Sequence, residues 1–220
     1  MKFLLNGGRY EFMYLKSPHI LNQFKNSDIK NLIILPFTIS NEDRFLLQDL
    51  SKDINLKNLN ITHIHLDLDI TTNLNRLYDA DAIYFTGGNP LLLLNKIKEL
   101  KIDKILNEII EKKTLKLIGG SSAGAMILGQ RVIHIHEDNI IYTIDGLNII
   151  KNHLIFPHLN KINRKDHFIK ILKDNHFKGI GIEEETEVFM DENYKVLDVY
   201  GKGNAILIID QAIELFNQHL

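Results

Sequence analysis

Residues 117–129 read LIGGSSAGAMILG: an apolar strand-like run, a cluster of Gly, Ser and Ala, then a second apolar run. A buried strand that ends in a tight turn and restarts as a helix is the repeating unit of a parallel α/β sheet. The same texture recurs on either side. KFLL (Lys2 to Leu5), NLIILPF (Asn31 to Phe37) and DAIYFTGG (Asp81 to Gly88) each read as a buried strand closed by a turn signal, as does LKLIGG (Leu115 to Gly120). Between them, EDRFLLQDLSKDI, NPLLLLNKIKEL and DKILNEIIEKK carry helical apolar spacing. The expected architecture is a doubly wound, mostly parallel sheet with helices on both faces. Beyond Gly179, GIGIEEETEVFMD, KVLDVYG and NAILIID read as three consecutive strands that extend the sheet antiparallel, followed by a C-terminal helix. With no repeat, linker or low-complexity tract, residues 1–220 read as one domain.

The composition is that of an ordinary soluble protein: 45% hydrophobic, 25% charged, net charge −2, ten histidines and no cysteine. A pI near 6.5 and a mean hydropathy of −0.09 give no basic footprint for nucleic acid. Absence of cysteine excludes disulfides and thiolate chemistry and makes a reducing compartment the default. No apolar run reaches the length of a membrane span and the N-terminus lacks a signal-peptide core, so a cytoplasmic location away from membranes is expected.

Open α/β sheets place their sites at the carboxyl ends of the strands. Two turns there stand out, TGGNP and GGSSAGA. The pattern G-x-S-x-G fits the second in one register only, Gly120-Ser121-Ser122-Ala123-Gly124, which nominates Ser122. Small neighbours suit a strained strand-to-helix turn that exposes a nucleophilic hydroxyl, with the following helix aiming its N–H groups at the reacting oxygen. The competing reading is a tight packing turn or a phosphate loop. A Walker-type loop would need Lys where Met126 stands.

A serine needs a base. His63 and His65, like His134 and His136, alternate with apolar residues as on half-exposed strands, and no further ligands at metal spacing accompany either pair. His153, His167, His176 and His219 read as solvated positions. His158 follows an apolar run and a proline in HLIFPHLN, at the end of an expected strand.

FTGGNPLLLL, IGGSSAGAMI, FPHLN and GIGIEEET, in that order and at that spacing, resemble the dipeptidase E/cyanophycinase family of serine peptidases over about Lys2 to Asp210. The resemblance implies a three-layer fold like that of class I glutamine amidotransferases, with serine for the usual cysteine. It makes Ser122 the nucleophile and His158 the general base, and it forms the oxyanion hole from the N–H groups of Gly88 and Ala123. For the triad acid it offers Glu184, with Glu183 or Glu185 as one-residue slips, or else Glu137 or Asp138 in HIHEDN. Glu184 is favoured and Asp138 is second. The implied substrate is a small peptide, with N-terminal aspartyl dipeptides and the β-linked Asp-Arg polymer cyanophycin as family precedents. Arg131, Lys161 and Arg164 are candidate cations for an acidic side chain. No metal or organic cofactor is implied, and the oligomeric state is open, a homodimer included. Pro90 stands where cyanophycinases often carry Gln, which weakens that substrate reading. The alternatives are another acyl hydrolase on the same site, an esterase included, or a non-catalytic binding protein on the same scaffold.

Overall fold

The computed structural model describes residues 1–8, 28–37, 59–64, 73–135, 141–161, 163–209 and 212–217. Continuous apolar runs make the first strands: β1 (Lys2–Asn6), β2 (Asn31–Leu35), β3 (Asn60–His63), β4 (Ala82–Phe85) and β5 (Leu117–Ser121). They pair parallel to one another in the order β1-β5-β4-β2-β3. Two helices connect β4 to β5. α1 (Pro90–Glu99) starts where Asn89 caps the N–H of Leu92 and Pro90 takes the first helical position, which lacks a partner for an N–H anyway. α2 (Ile102–Glu111) buries Ile102, Leu106 and Ile109, a stripe at helical spacing. The segment 42–54, read above as a helix, lies outside the described residues.

The remaining elements are α3 (Ala123–Met126), β6 (Arg131–Ile135), β7 (Ile141–Asp145), β8 (His153–Phe156) and α4 (Arg164–Asn175). β9 (Lys178–Ile182), β10 (Thr186–Met190), β11 (Val196–Gly201), β12 (Ala205–Ile209) and β13 (Ala212–Phe216) follow. Here the structure corrects the expectation of a single sheet. Among the described residues, strands β13-β12-β9-β8-β6-β7 form a second, six-stranded sheet, while β10 and β11 return to the first and bring it to seven. The stretch GIGIEEETEVFMD is therefore two strands in different sheets. Three consecutive glutamates interrupt its pairing, and Glu185 adopts a left-handed φ of 57° that redirects the chain. The expected C-terminal helix is also absent at 212–216. That segment pairs antiparallel with β12, satisfying an edge that would otherwise be open.

The antiparallel extension exists on both sheets, β10 against β1 and β12 against β9. Alternation along β1 puts Phe3 and Leu5 into the main apolar cluster, which also takes residues of α1, α2, β8, β9 and β12, and turns Leu4 to a second cluster. α4 covers the outer face of the second sheet through Phe168, Ile171 and Leu172. No described helix is long and apolar enough to cross a membrane.

Candidate active site

The topology delivers four strand ends to one place. β1 and β5 of the first sheet stop side by side, Asn6 opposite Ser121, and β8 and β9 of the second stop with Phe156 opposite Gly181. The residues just beyond these ends are Gly7, Ser122, His158 and Glu184.

Ser122 sits between β5 and α3 with φ 48° and ψ −111°, a conformation that costs a non-glycine residue about 1–3 kcal/mol. The crowding that requires small neighbours is measurable: a Cβ on Gly120 would lie 2.4 Å from the carbonyl carbon of Gly124. α3 is a single turn, shorter than the apolar run after the serine had implied, because Leu128 and Gly129 close tight turns onto Ala125 and Met126 on the way to β6. Its contribution at the serine is therefore local N–H donors rather than a long dipole. Ser121 is fully buried, and its hydroxyl donates to Asn6 Oδ1 at 3.3 Å. The two adjacent serines thus face different surroundings.

Ser122 Oγ lies 2.8 Å from His158 Nε2, and His158 Nδ1 lies 2.8 Å from Glu184 Oε1. A carboxylate only accepts, so Nδ1 carries the proton and Nε2 is left to accept from the serine hydroxyl. Burial pushes the imidazole below its ordinary pKa, the Glu184 hydrogen bond opposes this, and the Lys161 and Arg164 cations push it further down. At neutral pH the ring is a neutral base. For Glu184, burial raises the pKa, but the hydrogen bonds and charges of His158 and Lys161 outweigh it and hold the carboxyl below its usual range. Asn160 Oδ1 accepts the Glu184 N–H at 3.1 Å and fixes the backbone there.

The three consecutive glutamates part company. Glu183 accepts from the backbone N–H and side-chain amide of Asn204 at 2.8 and 3.2 Å, Glu185 pairs with Lys202, and Glu184 alone reaches the histidine. Glu137 and Asp138 lie outside the described residues, as do His65, His136 and His219. Gly88, with φ 117°, lies on the loop between β4 and α1, and Ala123 opens α3. β4 and β5 are neighbours, Phe85 opposite Gly120, so these two turns stand side by side.

Of the candidate cations, Lys161 Nζ reaches Glu184 Oε1 at 3.2 Å. Arg164 instead lies over the Phe156 ring and donates to the Pro157 carbonyl, while Arg131 pairs with Asp145. His153, expected to be solvated, is buried at the start of β8. Its Nδ1 donates to the Lys151 carbonyl at 2.7 Å and its ring meets Tyr194 edge-on. Among the described residues no group of three or more His, Cys, Asp or Glu is placed to hold a metal.

Residues 6–8 receive no role from the sequence, yet they hold the backbone at Ser122, at His158 and beside Glu184. The Asn6 carbonyl accepts the Ser122 N–H at 3.0 Å, the Gly7 carbonyl accepts the His158 N–H at 2.9 Å, and the Gly8 carbonyl accepts the Glu185 N–H at 3.0 Å. Gly8, with φ 97°, lies against the His158 ring. The available signal was an NGG turn at the carboxyl end of a buried strand, the same signal that singled out TGGN.

Among known proteins, a cyanophycinase from Geminocystis herdmanii is 28% identical over 144 residues, 62% of this chain and 52% of the relative. A Drosophila melanogaster protein named "Probable alpha-aspartyl dipeptidase" is 26% identical over 115 residues, 52% of this chain and 45% of that one. The chain spans about half the length of the cyanophycinases it matches. A solved peptidase from an acI-B1 Actinobacterium shares the fold with a TM-score of 0.65 at 20% identity, covering 99% of this chain and 94% of that one. With the profile of peptidase family S51 matching residues 3–197, a span that contains Ser122, His158 and Glu184 alike, this chain is a member of peptidase family S51.

Proposed function

We propose that residues 1–220 of this peptidase form one domain, a serine hydrolase of the dipeptidase E type on a scaffold like that of class I glutamine amidotransferases, cleaving short peptides through an acyl-enzyme. The observation that carries this reading is the continuous relay Ser122 Oγ–His158 Nε2, His158 Nδ1–Glu184 Oε1, both links at 2.8 Å. His158 takes the serine proton as Oγ attacks the peptide carbonyl, forming a tetrahedral oxyanion. Donation from the N–H groups of Gly88 and Ala123 stabilises that oxygen, each donor contributing about 3 kcal/mol. The C–N bond then breaks as His158 returns its proton to the leaving amine, and water repeats the sequence on the Ser122 ester. Glu184 keeps the imidazole in the tautomer this requires.

The names of the relatives support a substrate class. One is named for aspartyl dipeptides and several are named cyanophycinases, so peptides containing aspartate are the first to test, with β-linked Asp-Arg as the second reading. A fluorophosphonate probe should label the native chain and leave Ser122→Ala unlabelled. Equal labelling of both refutes Ser122 as the nucleophile. A dipeptide library then separates the substrates: cleavage confined to Asp-Xaa supports the dipeptidase reading, and cleavage of β-Asp-Arg alone supports the other.

A further inference from the structure

Beneath the triad lies a buried polar group of residues that the mechanism above does not use. Asn6 is the last residue of β1, a strand flanked by β5 and β10, and its register partners are Ser121 on one side and Glu187 on the other. All three are buried. Asn6 Oδ1 accepts from the Gly8 N–H at 2.7 Å and from the Ser121 hydroxyl at 3.3 Å, while Nδ2 donates to Glu187 Oε1 at 3.4 Å. The Gly8 N–H can only donate, so the amide oxygen must face it and the NH2 group must face Glu187. The carboxamide is thereby locked in one orientation, at a depth where an unmade hydrogen bond costs about 1–3 kcal/mol.

What the lock holds is the turn against which the catalytic groups rest. Gly8 packs on the His158 ring so closely that a Cβ there would fall 2.1 Å from Cε1. Its carbonyl and that of Gly7 take the N–H groups of Glu185 and His158, and the Asn6 carbonyl takes that of Ser122. We propose that Asn6 is the positioning residue of this site: its carboxamide, oriented by the Gly8 N–H and braced from behind by Glu187, pins the Gly7–Gly8 turn and so fixes His158 against Ser122. This rests on the catalytic reading of Ser122 and His158 given above. Burial pushes the Glu187 carboxyl up to about 8, so at neutral pH it is a neutral group able both to accept from Asn6 and to donate.

The test uses the full chain at neutral pH with three variants. Asn6→Leu keeps the branched shape and removes the acceptor. Asn6→Asp keeps an oxygen toward Gly8 and can receive the proton of Glu187. Asn6→Ala, which has no side-chain acceptor for the Gly8 N–H, is the second removal if the leucine variant does not fold. The readouts are the fluorophosphonate labelling rate of Ser122 and the downfield NMR resonance of the His158 Nδ1 proton, with melting temperature alongside. Asn6→Leu should slow labelling by about tenfold or more and shift the resonance, while Asn6→Asp stays within about threefold of the native rate. Native-rate labelling of folded Asn6→Leu, or Asn6→Asp as slow as Asn6→Leu, overturns the proposal. If the native chain itself is not labelled, the catalytic reading fails. The His158 proton resonance, unmoved or shifted by Asn6→Leu, then decides whether Asn6 holds the ring.

Discussion

Gly8→Ala isolates the geometry of the site with the smallest possible change. The new Cβ would sit 2.1 Å from His158 Cε1, against the 3.4 Å of ordinary contact, so ring or backbone must yield by about 1.3 Å. The backbone is held on both sides, its N–H by Asn6 Oδ1 at 2.7 Å and its carbonyl by the Glu185 N–H at 3.0 Å. The ring is therefore the part that moves. A retreat of that size stretches the 2.8 Å contact with Ser122 Oγ to about 4 Å, beyond hydrogen bonding. Misplacing a reacting group by about 1 Å costs about 100-fold in rate, or about 3 kcal/mol of transition-state stabilisation. The left-handed φ of 97° adds about 1–2 kcal/mol against folding, which lowers the melting temperature by several degrees. The assay compares fluorophosphonate labelling at a temperature where both proteins are folded. Labelling of Gly8→Ala within about threefold of the native rate would falsify the idea that Gly8 sets the position of His158.

Glu184→Gln, which can present an amide in place of the carboxylate, should lower the acylation rate by about 10³ to 10⁴ with the fold intact by circular dichroism; a loss below tenfold would point to a different acid. In the proposed mechanism His158 acts only when neutral, and the Lys161 cation is one of the charges holding its pKa below the ordinary value. Lys161→Met therefore raises that pKa and moves the acid limb of the labelling–pH profile upward; an unmoved limb, or one moved downward, contradicts the electrostatic role. Glu187 has a folded-state pKa raised to about 8 from 4.5, so the folded state binds a proton that the unfolded chain has already released. Stability from this group is greatest below about pH 4.5 and is lost as pH rises toward 8. Glu187→Gln removes that loss, so its melting temperature relative to the native chain should climb between pH 5 and 8; a constant difference would mean that the carboxyl does not titrate in this window.

The register of GGSSAGA and the placement of FPHLN and GIGIEEET name residues that the fold joins by two successive 2.8 Å contacts through His158, because those motifs sit at strand ends and strand ends converge. The parting of the chain into two sheets was not legible. GIGI and TEVFM have the same local pattern, and only long-range pairing sends β9 to β8 and β10 to β1. Residues 212–216 illustrate the same limit: AIELF suits either period, and the open edge of β12 decides in favour of a strand. Asn6 is not legible as a site residue, because an asparagine before two glycines reads as a turn. Its burial comes from β5 and β10 on either side of it, which are 115 and 181 residues away. His153 was misplaced for a related reason, since its cover is supplied by Tyr194 from a distant loop.

Ser122 leaves a strand of the first sheet, His158 leaves a strand of the second, and Glu184 lies where the chain crosses from one to the other. No single sheet contains the reactive constellation. On the proposed mechanism, chemistry at Ser122 is therefore a gauge of whether the seam between the sheets is closed. A partial opening at that seam would silence the serine while leaving both strand ladders intact, so inactivation on heating should run ahead of the loss of β-sheet signal.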